Sequence, residues 1–196
     1  MNVSRKGTVL ALFAAAALAA PALAAPSVGA SAPEFALPAA SGATGTLALK
    51  DLAAKGKGVV VIFVSTRCPF SNAYNTRMAA LAKQYAGKGV AVVGINSNKN
   101  EPASEVAEHA KKHDLAFPIL KDGENKVADA YGANHTPEAY LIDAKGALVY
   151  HGRIDESEDE KGAHSHDLAN AIDALVAGKP VPVAETKAFG CSIKRV

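Results

Sequence analysis

The sequence predicts an α/β fold: a central mixed sheet flanked by helices. Three observations predict it. Val59 to Val64 form an unbroken apolar run dominated by β-branched residues, the pattern of a strand buried on both faces. Val90 to Ile95 repeat that pattern after a segment of helical period. Near the end, two apolar runs flank Ala144-Lys145-Gly146, the signature of a hairpin. Alternating strands and helices imply a parallel sheet, to which the hairpin adds an antiparallel edge.

The elements follow in order. Residues 1–24 read as a secretory signal peptide. Arg5 and Lys6 precede an apolar run from Thr8 to about Ala20, and Ala22-Leu23-Ala24 offers small residues for cleavage. The run is shorter than the ~20 residues of a membrane span, so no stable membrane insertion is expected after cleavage; an uncleaved anchor is the alternative. Residues 25–196 are expected to form one domain with a C-terminal tail. Loss of Arg5 and Lys6 takes the formal charge from +2 to zero, and that balance does not point to nucleic acid. Export, most naturally to a periplasm, is the expected localisation.

Pro26 to Ser41 read as an extended leader, Thr46 to Leu49 as a short edge strand, and Asp51-Leu52 as a turn of helix. Gly56-Lys57-Gly58 breaks the chain before the first buried strand. Pro69 suits a first helical turn, and Met78, Leu81, Ala82 and Tyr85 carry the helical period to Ala86. After the second strand, Glu101 to His113 read as a polar amphipathic helix, Phe117 to Leu120 as extended, and Val127 to Tyr131 as a short helix ended by Gly132. The hairpin strands are Ala139 to Asp143 and Ala147 to His151. Asp155 to Lys161 read as a solvated loop, Leu168 to Val176 as a last helix.

Two cysteines, Cys68 and Cys191, are too few for a disulfide scaffold, and a chain of this size needs no staple. They call for a chemical explanation. In Ser65-Thr66-Arg67-Cys68-Pro69-Phe70, the cysteine leaves a buried strand and enters a helix. Unpaired N–H groups at a helix start favour thiolate over thiol. Arg67 adds a cation, Ser65 a hydroxyl, and thiolate is the reactive form. Thr136-Pro137, just before a hairpin strand, is a candidate cis bond. The histidines give two weaker patterns. His109 and His113, four apart, could form half of a metal site, but no closed ligand set accompanies them. His135 could lie near Cys68. No metal or other cofactor is expected.

On these residues the chain resembles the thioredoxin superfamily. The resemblance is to peroxiredoxin-like (redoxin) members of the alkyl hydroperoxide reductase/thiol-specific antioxidant family. The marks are Gly29 to Leu37, Cys68-Pro69-Phe70, Thr136-Pro137 with Leu141-Ile142-Asp143, His151 to Asp155, and the tail Gly190-Cys191-Ser192-Ile193-Lys194. The resemblance implies a thioredoxin-like fold, a cis Pro137 packed against the active cysteine, and an external thiol reductant such as a thioredoxin-like protein. Relatives carry C-x-x-C, whose second cysteine falls on Cys68 and whose first falls on Ser65. A Ser at that spacing is what a peroxidase uses to bind peroxide. The proline that peroxidases place seven residues before the cysteine is Val61 here. Arg153 and Arg67 are the candidates for a thiolate-stabilising arginine.

The leading expectation is therefore an exported, peroxidase-like thiol oxidoreductase. It would reduce hydroperoxides through Cys68, with Cys191 condensing onto the oxidised sulfur as a Pro/Gly-containing tail swings in. Thiol–disulfide exchange with protein disulfides through the same cysteines is the alternative. A non-catalytic binding or metal-handling module is a third.

Overall fold

The computed structural model describes residues 25–196, so the expected signal peptide lies outside the described residues. In chain order the strands are β1 Ala36–Ser41, β2 Thr46–Ala48, β3 Gly58–Phe63, β4 Val90–Asn96, β5 Ile119–Lys121, β6 His135–Thr136, β7 Glu138–Asp143, β8 Leu148–Gly152 and β9 Cys191–Ser192. The helices are α1 Leu49–Ala53, α2 Pro69–Ala73, α3 Asn75–Ala86, α4 Ala103–Lys112, α5 Lys126–Tyr131 and α6 Asp167–Val176. Seven strands form one sheet in the order β2-β1-β5-β4-β3-β7-β8; β6 and β9 pair separately. The pairs β3/β4 and β4/β5 are parallel, while β3/β7 and β7/β8 are antiparallel. The expected mixed sheet is present.

All six residues of β3 are buried, because the strand has helices on both sides. Its side chains alternate between two cores. Val60 and Ile62 pack with Met78, Tyr85, Leu168 and Ile172 on the side of α3 and α6. Val59, Val61 and Phe63 pack with Leu49, Val127, Tyr131 and Tyr140 on the side of α1 and α5. Edge-on contacts of Phe63 with Tyr131 and Tyr140 fill the second core. Burial of such side chains stabilises by roughly 1.5–3 kcal/mol each.

Three sequence readings need correction. The expected leader contains β1, which pairs antiparallel with β2 and β5. Pro38 and small residues hide this strand in the sequence, and Gly42 and Gly45, both at positive φ, turn it into β2. The helix expected from Pro69 to Ala86 is two. It breaks at Tyr74, where ψ is −2°. The buried Tyr74 hydroxyl donates to Asp155 Oδ1 at 2.9 Å, and the Arg77 guanidinium lies 3.7 Å from the centre of its ring. Asp155 in turn is not solvated. It is buried and takes two 2.7 Å bonds from Arg77.

Candidate redox site

The site stands where β3 ends and α2 begins. Cys68 caps α2, with extended backbone and Pro69 as the first helical residue. Cys68 is buried, 3% exposed. The Ser71 N–H donates to its sulfur at 3.3 Å, and the Thr136 carbonyl lies 3.2 Å away on the other side. The Thr136–Pro137 bond is cis.

Cys68 and Cys191 are joined as a disulfide, with Cα atoms 5.8 Å apart, inside the range that the bond requires. Cys191 gets there on β9, which pairs with β6: Thr136 opposes Cys191 and His135 opposes Ser192. With the disulfide closed, the tail is docked. Ile193 is buried, its N–H donates to Asn134 O at 3.0 Å, the Lys194 N–H donates to Asn98 Oδ1 at 2.8 Å, and Arg195 Nε donates to Asp129 Oδ1 at 2.7 Å. Upstream, Phe189 meets Phe70 and Tyr74 edge-on.

The other expected residues separate into two groups. Ser65 is beside the cysteine but is occupied. Its hydroxyl donates to Glu101 Oε1 at 2.6 Å and accepts the N–H groups of Cys68 (3.1 Å) and Arg67 (3.2 Å). Its one proton therefore goes to the carboxylate, away from the sulfur. Arg67 turns outward to Glu105, at 2.9 Å from Nε and 2.5 Å from Nη2. That bond, with one from Thr66, pulls the Glu105 carboxyl down to about 2. Arg153 is bound to Asp167 at 2.6 Å. His135 has its ring Nδ1 3.7 Å from Glu138. His109 and His113 lie with ring centres 4.4 Å apart and planes tilted by 38°, and no group of three metal-ligating side chains is found among the described residues.

Sequence reasoning missed two buried carboxylates that build this site. Glu101 accepts Ser65 Oγ, the Thr66 N–H at 2.8 Å and Asn96 Nδ2 at 2.6 Å, which fixes the loop ahead of Cys68. Glu138 accepts the N–H groups of Asn134 and His135, both at 2.8 Å, and is 2.7 Å from His151 Nε2, which fixes the loop carrying Pro137. Burial pushes the Glu138 carboxyl up, but the bonds from His151 and the two amides outweigh it and hold it below the ordinary range. The available signal was the acid directly after Pro137, opening the apolar run of β7. Glu101 carried no such signal, because polar residues surround it in sequence.

A mixed sheet with a cysteine at a strand-to-helix junction, facing a cis-proline loop, defines a thioredoxin-like protein with a redox-capable cysteine pair. Residues 28–151 match the AhpC/TSA family, and the chain belongs to that family. It is 34% identical over 104 residues to the thiol-disulfide oxidoreductase ResA of Halalkalibacterium halodurans, covering 53% of this chain and 57% of that protein's length. It is 35% identical over 136 residues to the thioredoxin-like protein YneN of Bacillus subtilis, covering 68% of this chain and 76% of that one. A crystal structure of a hypothetical protein from Sinorhizobium meliloti 1021 superposes with TM-score 0.79 at 35% identity, covering 88% of this chain and 97% of the other.

Proposed function

We propose that this protein is an exported thiol–disulfide oxidoreductase in which Cys68 and Cys191 cycle between dithiol and disulfide. The observation that carries this is the Cys68–Cys191 disulfide, formed between the cap of α2 and a strand docked on the cis-proline loop. Exchange needs two sulfurs held within bonding reach and a route for a third, and a docked tail supplies the first. The names of the ResA relatives agree with it. Partners are protein disulfides or dithiols, with an external thiol protein restoring the starting state. Export rests on the basic, apolar, small-residue order of residues 1–24, and the periplasm is the natural destination. Among the described residues no helix is long and apolar enough to cross a membrane.

The test is catalysed reduction of insulin disulfides by dithiothreitol. Acceleration by the wild-type protein, lost in Cys68→Ala and Cys191→Ala, is expected. A rate no higher than dithiothreitol alone overturns the reading.

Hydroperoxide reduction is the second reading, and family membership favours it. Here a Cys68 thiolate attacks the peroxide and an alcohol leaves. The resulting sulfenic acid condenses with the Cys191 thiol, releasing water. Against it, the Ser65 proton is committed to Glu101, and Arg67 and Arg153 are committed to carboxylates. A stoichiometric pulse of hydrogen peroxide on the reduced protein separates the two. Oxidation of Cys68 no faster than free cysteine removes the peroxidase.

A further inference from the structure

Within the exchange reading, on which this inference rests, the two sulfurs are not equivalent. Cys68 is 3% exposed. It lies between the Ser71 N–H, which donates to its sulfur, and the Thr136 carbonyl, which can accept its proton when the disulfide is open. A reduced Cys68 is thus a buried thiol with both a donor and an acceptor in place. Cys191 is partly exposed, and its sulfur has no hydrogen-bond partner among the described residues. The backbone at Cys191 is fixed from both directions, by Phe189 against Phe70 and Tyr74 and by the buried Ile193. So the more exposed residue of the pair stands on the docked tail strand, and the buried one caps α2.

We infer that the polarity of the pair is the reverse of the sequence expectation: Cys191 is the sulfur that partners attack and that carries the mixed disulfide, and Cys68 is the internal resolving thiol. Access decides which sulfur of a disulfide is attacked. In the oxidising direction, a partner thiolate attacks Cys191 Sγ. The Cys68–Cys191 bond breaks, and its electron pair goes to Cys68 Sγ, which accepts the Ser71 N–H or takes up a proton. A second partner thiolate then attacks the partner sulfur of the mixed disulfide. Cys191 leaves with the electron pair, the partner is oxidised to a disulfide, and the protein is reduced by two electrons. In the reducing direction, the Cys191 thiolate attacks a partner disulfide and one partner thiol leaves. Cys68 then attacks Cys191 Sγ and releases the second partner thiol. The single cysteine that faces partners sits on the tail strand, at a point 123 residues from the helix cap.

The test uses glutathione disulfide as the probe on reduced Cys68→Ala and Cys191→Ala proteins, followed by intact mass. Glutathione is expected on Cys191 of the Cys68→Ala protein at least about tenfold faster than on Cys68 of the Cys191→Ala protein. Equal rates, or faster uptake at Cys68, overturn the assignment while leaving exchange intact. No adduct on either folded variant overturns exchange itself. Because each variant loses the disulfide, reduced wild-type protein is also alkylated with iodoacetamide and mapped. Cys191 is expected to label at least about tenfold before Cys68; the opposite order overturns the assignment even where a variant fails to fold.

Discussion

The Ser65 hydroxyl donates to Glu101 Oε1 at 2.6 Å, and through that bond a buried carboxylate holds the turn in front of Cys68. Ser65 Oγ in turn accepts the Cys68 and Arg67 amides. Ser65 therefore acts as a backbone clamp, and Glu101 is the anchor of that clamp.

Removing the anchor leaves two donors without an acceptor, Ser65 Oγ and the Thr66 N–H, and takes from Asn96 Nδ2 one of its two acceptors, the Val64 carbonyl at 3.3 Å being the other. Each buried unsatisfied group costs about 1–3 kcal/mol. Glu101→Ala is expected to destabilise the oxidised protein by about 3 kcal/mol or more, read by urea denaturation. A loss under about 0.5 kcal/mol would mean that the turn is held by other contacts.

Glu138 sets an acid limit. Its carboxyl is depressed in the folded protein, so its contribution is fully present above the unfolded carboxylate value of about 4.3. That contribution is lost as pH falls through the lower folded value. Glu138→Gln should therefore narrow the stability difference between pH 7 and pH 3.5 relative to wild type. An unchanged difference, measured by denaturation midpoints, would remove Glu138 from the acid response.

Gly190 has φ near 144°, and a Cβ there would run into the Thr136 carbonyl. Gly190→Ala must strain the backbone or lift the strand that carries Cys191, at about 1–3 kcal/mol. The Cys68–Cys191 disulfide of this variant should be about tenfold easier to reduce in a glutathione redox buffer, since 1.4 kcal/mol is a factor of ten. An unshifted equilibrium would show that β9 tolerates the side chain.

The disulfide closes a loop spanning 123 residues. Chain entropy alone gives such a crosslink about 3–5 kcal/mol. The reduced protein should fall by that order in guanidinium denaturation and still fold, because the two cores on either side of β3 do not depend on the bond. A difference below about 1 kcal/mol would place residual tail structure in the unfolded reduced chain.

The architecture was legible because its main signals are local. The apolar run of β3, the repeat of it in β4 and the turn before β8 each lie within a few residues of sequence, and burial on two faces demands such runs. The Cys68 junction was legible for the same reason: strand, cysteine and proline are adjacent. β1 was not legible, because its small residues and Pro38 carry no period.

By itself, the sequence determined the mixed sheet, the place of Cys68 at a strand-to-helix junction and the pairing candidate in Cys191. Only the tertiary structure decided which charges face the sulfur and which do not. Arg67 and Ser65 stand beside Cys68 along the chain, and Arg153 was a candidate through the resemblance, yet each is claimed by a carboxylate: Glu105, Glu101 and Asp167. A charged side chain goes to the partner that best offsets its lost hydration, and that partner is chosen by the packing of elements 14 to 38 residues apart. The same packing brings the tail strand onto the cis-proline loop and leaves Cys191, rather than Cys68, the more exposed residue of the pair.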